Sequence, residues 1–335
     1  MKFALLTVSY SGLFYDGPAL SVVEQIRRAK RLGFDGLSIE AKRPVGSPLD
    51  LSPEDRTEIR DVAAREGIAL CAVESMSNFA SPFMEERENN LAMMKEVLTL
   101  AQDLQIDLVK VFAAWPGIID DEDDTGIYGA YERGKHYKRL YPADLRRWNR
   151  AVAGIRQAAD WAADRGLTLA LQNHAPLIAP GYEDALMMVH EIERTNVKLC
   201  LDAPLFQERQ SDDYIKEATE KCGDRIVLSH YGAWNVGLSP DGTPVQQLSP
   251  SFGGLINYPA YLRELERAGY DGFLVSEYCL PCIKNHQLAG IEDIDSANET
   301  ALAYMKGLVA TTAAAAGARP TLTHTTSMAA SRATR

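Results

Sequence analysis

No run of apolar residues in this chain approaches the roughly 18 that a membrane-spanning helix needs. Positive charge is also short, with 35 Lys and Arg against 46 Asp and Glu for a formal net charge of −11. Duplex nucleic acid and anionic membranes both demand clustered cations, so neither is expected as the main partner. Cysteine is scarce and odd in number: Cys71, Cys200, Cys222, Cys279 and Cys282 are scattered, mostly through apolar runs. That usage argues against a disulfide framework and for buried free thiols in a reducing compartment. Cys279-Leu-Pro-Cys282 has the spacing of a redox or zinc pair, but no second pair accompanies it. The opening Met1-Lys2-Phe3-Ala4-Leu5-Leu6 is a short apolar run broken by Thr7, Ser9 and Ser11, unlike a secretory leader, and a cytoplasmic protein is expected. No GxGxxG phosphate loop follows the first apolar run, which removes the signature of a dinucleotide-binding open sheet.

What the chain does contain is a repeated phrase. Arg31-Leu-Gly-Phe-Asp-Gly-Leu-Ser-Ile-Glu40 and Arg267-Ala-Gly-Tyr-Asp-Gly-Phe-Leu-Val-Ser-Glu277 are near-copies, with weaker versions at Arg65–Glu74 and Arg165–Gln172. Each reads as a helix end, a glycine C-cap, a turn, and a buried apolar strand ending in a polar residue. Strands are expected over 2–9, 36–40, 69–74, 108–112, 167–172, 197–201, 226–230 and 272–277. Helix-period segments lie between and after them, over 19–32, 53–66, 84–104, 142–165, 182–195, 211–222, 257–268 and 295–316. Ser52-Pro53-Glu54-Asp55 places a cap, a proline at the first helical position and early acids in order. Eight alternations, with 46% hydrophobic residues to fill a core, predict a single-domain (β/α)8 barrel over residues 1–316. Residues 317–335, rich in Thr, Ala, Ser and Arg and without an acid, are expected to be a disordered tail. Long loops are expected after strands 4 (113–141) and 7 (231–256), at the face where barrels of this kind build their sites.

The strand ends carry the chemistry. Strand 5 ends in Gln172-Asn173-His174, strand 6 in Asp202, strand 7 in His230 and strand 8 in Glu277, with Gln172, Asp202, His230 and Glu277 spaced by 30, 28 and 47 residues. Each gap is one strand-helix unit, so four consecutive strands deliver Gln, Asp, His and Glu to one mouth. Two carboxylates ending apolar strands side by side are costly unless a cation lies between them. Three oxygen donors and one imidazole, without a thiolate, suit one divalent ion, Mn2+ or Mg2+, better than structural zinc.

This pattern resembles the xylose-isomerase-like sugar isomerase and epimerase superfamily, which also contains the endonuclease IV type of repair enzyme. The resemblance spans residues 1–316 and implies a TIM barrel whose strand-5 to strand-8 positions bind one divalent ion. It also implies that the strand-5 and strand-8 carboxylates act as two acid–base groups beside a substrate carbonyl. Here Gln172 stands where those isomerases carry Glu, and an amide cannot accept a proton at neutral pH. The two-base scheme therefore lacks one base, and an elimination needing a base on one face of the substrate fits better. The Gln172-Asn173-His174 ending and the long strand-4 loop are similar to the large (α) subunits of bacterial C-glycoside deglycosidases. That similarity implies cleavage of a 3-oxo-C-glycoside with Mn2+ and a small β subunit as partner.

Three groups are candidates for the base: Glu277, His174, and His136 in the strand-4 loop. Glu40 and Glu74, ending strands 2 and 3, together with Asn173, Trp115 and Trp234, are candidate substrate contacts; a salt bridge and core packing are the competing readings for the carboxylates and the aromatics. Phe79, Phe206 and Tyr231 are further aromatic groups near strand ends. The run Asp120–Asp124 reads as a solvated loop face. A sugar or keto-sugar isomerase or epimerase is the alternative to the lyase, and a non-catalytic metal-binding subunit is a third reading. A phosphodiesterase of the endonuclease IV kind is disfavoured, because six histidines supply too few strand-end ligands for a multi-zinc cluster.

Overall fold

The structure, a computed structural model, describes residues 1–115, 145–174, 178–179, 181–206, 209–232, 256–279 and 281–317, together with four short strand segments. Those four form two antiparallel pairs, Asp120–Asp121 with Asp124–Thr125 and Asn235–Leu238 with Pro244–Gln247. Eight parallel strands close into a barrel: β1 (Lys2–Leu6), β2 (Gly36–Glu40), β3 (Ala69–Glu74), β4 (Leu108–Val111), β5 (Thr168–Gln172), β6 (Val197–Cys200), β7 (Ile226–Gly232) and β8 (Phe273–Glu277). Every strand pairs with its sequence neighbours, and β1 closes the circle by pairing Lys2 with Phe273 on β8 and Ala4 with Gly36 on β2. Among the described residues, eight α-helices follow the strands in turn: α1 (Val22–Leu32), α2 (Pro53–Glu66), α3 (Met84–Asp103), α4 (Leu145–Ala163), α5 (Tyr182–Ile192), α6 (Asp212–Cys222), α7 (Tyr258–Arg267) and α8 (Ile291–Gly317). The expected TIM barrel is therefore the observed one. No helix among the described residues is long and apolar enough to cross a membrane.

Local chemistry explains where the elements begin and end. Ser21 and Ser52 open α1 and α2 with reciprocal capping boxes to Glu24 and Asp55, satisfying backbone N–H groups that the first turn leaves unpaired. The repeated phrase ends α1 on Gly33 at φ 86°, and its copy places Gly269 at φ 76° just past α7. Both turn the chain back toward a strand through left-handed backbone that a Cβ disfavours. A Cβ on Gly33 would meet nothing within 4 Å, so Gly33→Ala tests conformation alone. It is expected to lower stability by about 1–2 kcal/mol, measured by urea unfolding.

The first strand is shorter than its hydrophobicity suggests. The expected strand runs to residue 9, with Val8 continuing the apolar alternation, but pairing stops at Leu6 and Thr7–Tyr10 forms a buried 3-10 turn. Thr7 Oγ1 accepts the backbone N–H of Glu40 at 2.9 Å, tying this turn to the end of β2. Hydrophobicity reported burial there, not strand. The barrel walls are apolar outside, while a band of buried polar groups (Ser38, Glu40, Glu74, Lys110, Gln172, His230) crosses the interior at the C-terminal ends of the strands. His136, Trp234, most of the long loops after β4 and β7, and residues 318–335 lie outside the described residues, as do the side chains of Phe206 and of Asp120–Asp124.

Candidate metal centre

The four strand-end residues expected to act together do meet. Asp202, two residues past Cys200 at the end of β6, accepts a hydrogen bond from Gln172 Nε2 at 2.6 Å through Oδ2 and one from the backbone N–H of His230 through Oδ1. His230 Nδ1 lies 3.1 Å from Glu277 Oε2, 3.3 Å from Gln172 Nε2 and 3.8 Å from Asp202 Oδ2. One nitrogen and two carboxylate oxygens thus converge from β6, β7 and β8. Gln172, Asp202 and His230 are at most 3% exposed. The Glu277 side chain, at 26%, is the member of the group that solvent reaches.

Neighbouring residues fix this arrangement. Asn173 Oδ1 accepts the backbone N–H of Asp202 at 3.0 Å, and its Nδ2 donates to the Asp202 carbonyl at 3.4 Å. Asn173 is fully buried, so the expectation that it touches substrate gives way to a positioning role: it clamps β5 to the end of β6. From α7, Tyr261 donates to the Leu201 carbonyl at 2.5 Å and contacts Ser229 Oγ at 2.9 Å, pinning the ends of β6 and β7 together.

The electrostatics show a site short of positive charge. Burial works against an imidazolium, yet the neighbouring Glu74 and Asp202 carboxylates outweigh it and hold the His230 pKa well above 6.5. Burial pushes the Asp202 carboxyl above its ordinary value, with His230 opposing. Glu277 is pushed up by burial too, but its hydrogen bond to His230 prevails and it lies below the ordinary range. The donor set fits a hard divalent cation. Gln172 Oε1 is buried with no hydrogen-bond partner among the described residues. Amide oxygen and nitrogen are distinguished only by their hydrogen-bond network, so turning this amide presents the oxygen to the same point.

Two residues escaped the sequence reading. Cys200 brings its Sγ within 3.7 Å of Asp202 Oδ1, and its ligand atom, with those of Asp202 and His230, fits within 4.8 Å. Burial, helped by Asp202, pushes this thiol up to about 12, so it is presented neutral. Lys110 is a lysine inside the apolar run of β4, only 1% exposed. Its Nζ stands 3.2 Å from Glu74 Oε2 and 3.7 Å above the Phe112 ring centroid. A lone cation in a buried strand is itself a signal for a buried partner.

The candidate substrate contacts separate into two sets. Glu74 is fully buried, pairs with Lys110, and sits 3.1 Å from His230 Nε2. Burial opposes its charge, but His230 and Lys110 together hold the carboxyl down at about 2. It has no open face toward a substrate. Glu40 makes an ion pair with Lys42 at 3.0 Å nearer the surface. Trp115 stacks on Phe112 with centroids 4.6 Å apart, and the half-buried His174 meets both rings edge-on at 5.1 and 5.4 Å. These three form an aromatic wall past β4 and β5. Phe79 and Tyr231 are core residues.

Comparison with known proteins agrees with this architecture. Residues 26–303 match the family described as xylose isomerase-like TIM barrel. Among solved structures, D-psicose 3-epimerase from Clostridium cellulolyticum H10 superposes with a TM-score of 0.66 at 19% identity, covering 92% of this chain and 99% of that one. An L-ribulose 3-epimerase gives 0.66 at 15% identity, over 95% and 99% of the two chains. A 3-keto-D-glucoside 4-epimerase from E. coli gives 0.62 at 17% identity, over 92% and 99%. These likenesses establish a shared fold. No curated protein sequence matches the chain.

Proposed function

The chain belongs to the xylose isomerase-like TIM barrel family, and on that premise we propose that it is a divalent-metal-dependent sugar isomerase or epimerase that moves a proton beside a carbonyl. The observation that carries this reading is the convergence of Asp202 Oδ2 and Glu277 Oε2 on His230 Nδ1, with the Gln172 amide, its oxygen unpartnered, facing the same point through Nε2. A Mn2+ or Mg2+ ion held by Gln172, Asp202, His230 and Glu277 would polarise a sugar carbonyl and acidify the neighbouring C–H. Glu277 is the partly exposed carboxylate of the set and is ionised at neutral pH, which suits it to take that proton. His174, at the end of β5 and facing the aromatic wall, is the second proton-handling group, and His136 in the strand-4 loop is a third candidate. Trp115, Trp234 and the Glu40–Lys42 pair are the candidate contacts for the rest of the substrate.

A second reading is elimination from a 3-oxo-C-glycoside, and one residue favours it. Gln172 occupies the strand-5 position as an amide, and an amide takes no proton, so a one-base reaction suits this chain better than a two-base one. A small β subunit would belong to that reading. Both readings share proton removal next to a carbonyl, which exchange in D2O detects directly. The purified protein with Mn2+ is expected to place deuterium beside the carbonyl of a ketohexose or a 3-oxo-glucoside. Inverted stereochemistry with the linkage intact supports the epimerase, and free aglycone supports elimination. No exchange and no product from either substrate class would overturn both.

A further inference from the structure

The geometry points to Glu74 and Lys110 as positioning residues that hold the His230 imidazole in its ion-binding orientation from the far side of the barrel. This inference rests on reading the strand-5 to strand-8 cluster as an ion site. Glu74 stands on β3, beside Lys110 on β4 with which it is in register, and reaches across the interior to β7. Its Oε1 accepts a hydrogen bond from Ser38 Oγ on β2 at 2.6 Å and lies 3.1 Å from His230 Nε2. Its Oε2 lies 3.2 Å from Lys110 Nζ. A neutral imidazole carries one N–H; once an ion takes Nδ1 in place of its contact with Glu277, the hydrogen belongs on Nε2, where Glu74 Oε1 at 3.1 Å is the facing acceptor. Charge follows the same division: Lys110 balances Glu74, so Asp202 and Glu277 remain to match a divalent ion. Glu74 and Lys110 are too deeply buried to touch substrate, at 0% and 1% exposure. Lys110 also caps the Phe112 face, joining this pair to the wall of Trp115 and His174.

The test uses the full chain, stripped of metal with a chelator and titrated calorimetrically with Mn2+ alone. Glu74→Gln keeps the size of the side chain and removes its charge; Glu74→Gln/Lys110→Met removes both charges and leaves no unpaired lysine. Both variants are expected to weaken the Mn2+ Kd by about 10–100-fold, the range for losing an outer-shell partner of a metal-bound histidine. The double variant is expected to melt closer to wild type than the single one, and Co2+ bound to it to show shifted visible bands. Ser38→Ala, a milder loosening of Glu74, is expected to weaken binding by roughly 10-fold, the lower end of that range. Wild-type Mn2+ affinity in Glu74→Gln, or its return in the double variant along with stability, overturns the positioning role alone. A wild-type chain that binds no ion overturns the ion-site reading and this inference together.

Discussion

Asp202→Asn is expected to abolish both divalent-ion binding and turnover while leaving the barrel folded. The substitution keeps the shape of the side chain but exchanges one carboxylate oxygen for an NH2 group. Both oxygens are occupied by donors, Oδ1 by the backbone N–H of His230 and Oδ2 by Gln172 Nε2. An NH2 group can satisfy neither, so one of these contacts becomes donor against donor. The change also removes a charge from the position where Gln172, His230 and Glu277 converge. Mn2+ affinity is expected to fall by more than the roughly 10–100-fold that attends loss of an outer-shell group. His230→Ala is expected to do the same, because it deletes the nitrogen around which the two carboxylates are arranged. Calorimetric titration with Mn2+ and a D2O exchange assay check both variants, and retained activity in either would show that the site lies elsewhere.

The second large effect is expected from Gln172→Glu, and its sign depends on metal. Gln172 is buried and donates to Asp202 at 2.6 Å. A glutamate there replaces that hydrogen bond with like-charge repulsion beside Asp202 and Glu277. A hydrogen bond to a charged group contributes about 1.5–3 kcal/mol. For a domain of this size that corresponds to a melting temperature lower by roughly 3–6 °C in chelator, at about 2 °C per kcal/mol. With Mn2+ in excess the added carboxylate becomes another hard oxygen donor, so the difference is expected to close or reverse. Equal melting temperatures for variant and wild type, with and without Mn2+, would show that Gln172 does not border an ion site. The same variant also restores a proton acceptor to β5, so it is expected to raise deuterium exchange relative to product elimination.

The barrel and the centre of the site were readable for one physical reason. Asp202, His230 and Glu277 each break an apolar run at its C-terminal end, and the spacing of one strand-helix unit places such breaks at a common mouth. The turns were readable because Gly33 and Gly269 sit where left-handed backbone is needed. What stayed hidden depends on partners distant in sequence. Asn173 looked like a substrate contact, since an amide at a strand end reads that way until the neighbouring strand is placed against it. Lys110 was passed over although a lone cation in an apolar strand signals a buried partner; that partner, Glu74, comes from another strand, and only the β3–β4 register brings them together. Cys200 looked like one more buried thiol, because in-register pairing with Gln172 is what carries it to the cluster. The overlong first strand shows the converse limit: Thr7–Tyr10 is as buried as a strand without being one.

We propose that β5 to β8 hold one divalent ion between Gln172, Asp202, His230 and Glu277. Calorimetric titration of the chelator-treated full chain with Mn2+, paired with melting before and after chelation, measures it most directly. One ion bound per chain and a melting temperature that drops on chelation are expected. A chain that binds none of Mn2+, Mg2+, Zn2+ or Fe2+, and melts unchanged in chelator, contradicts it.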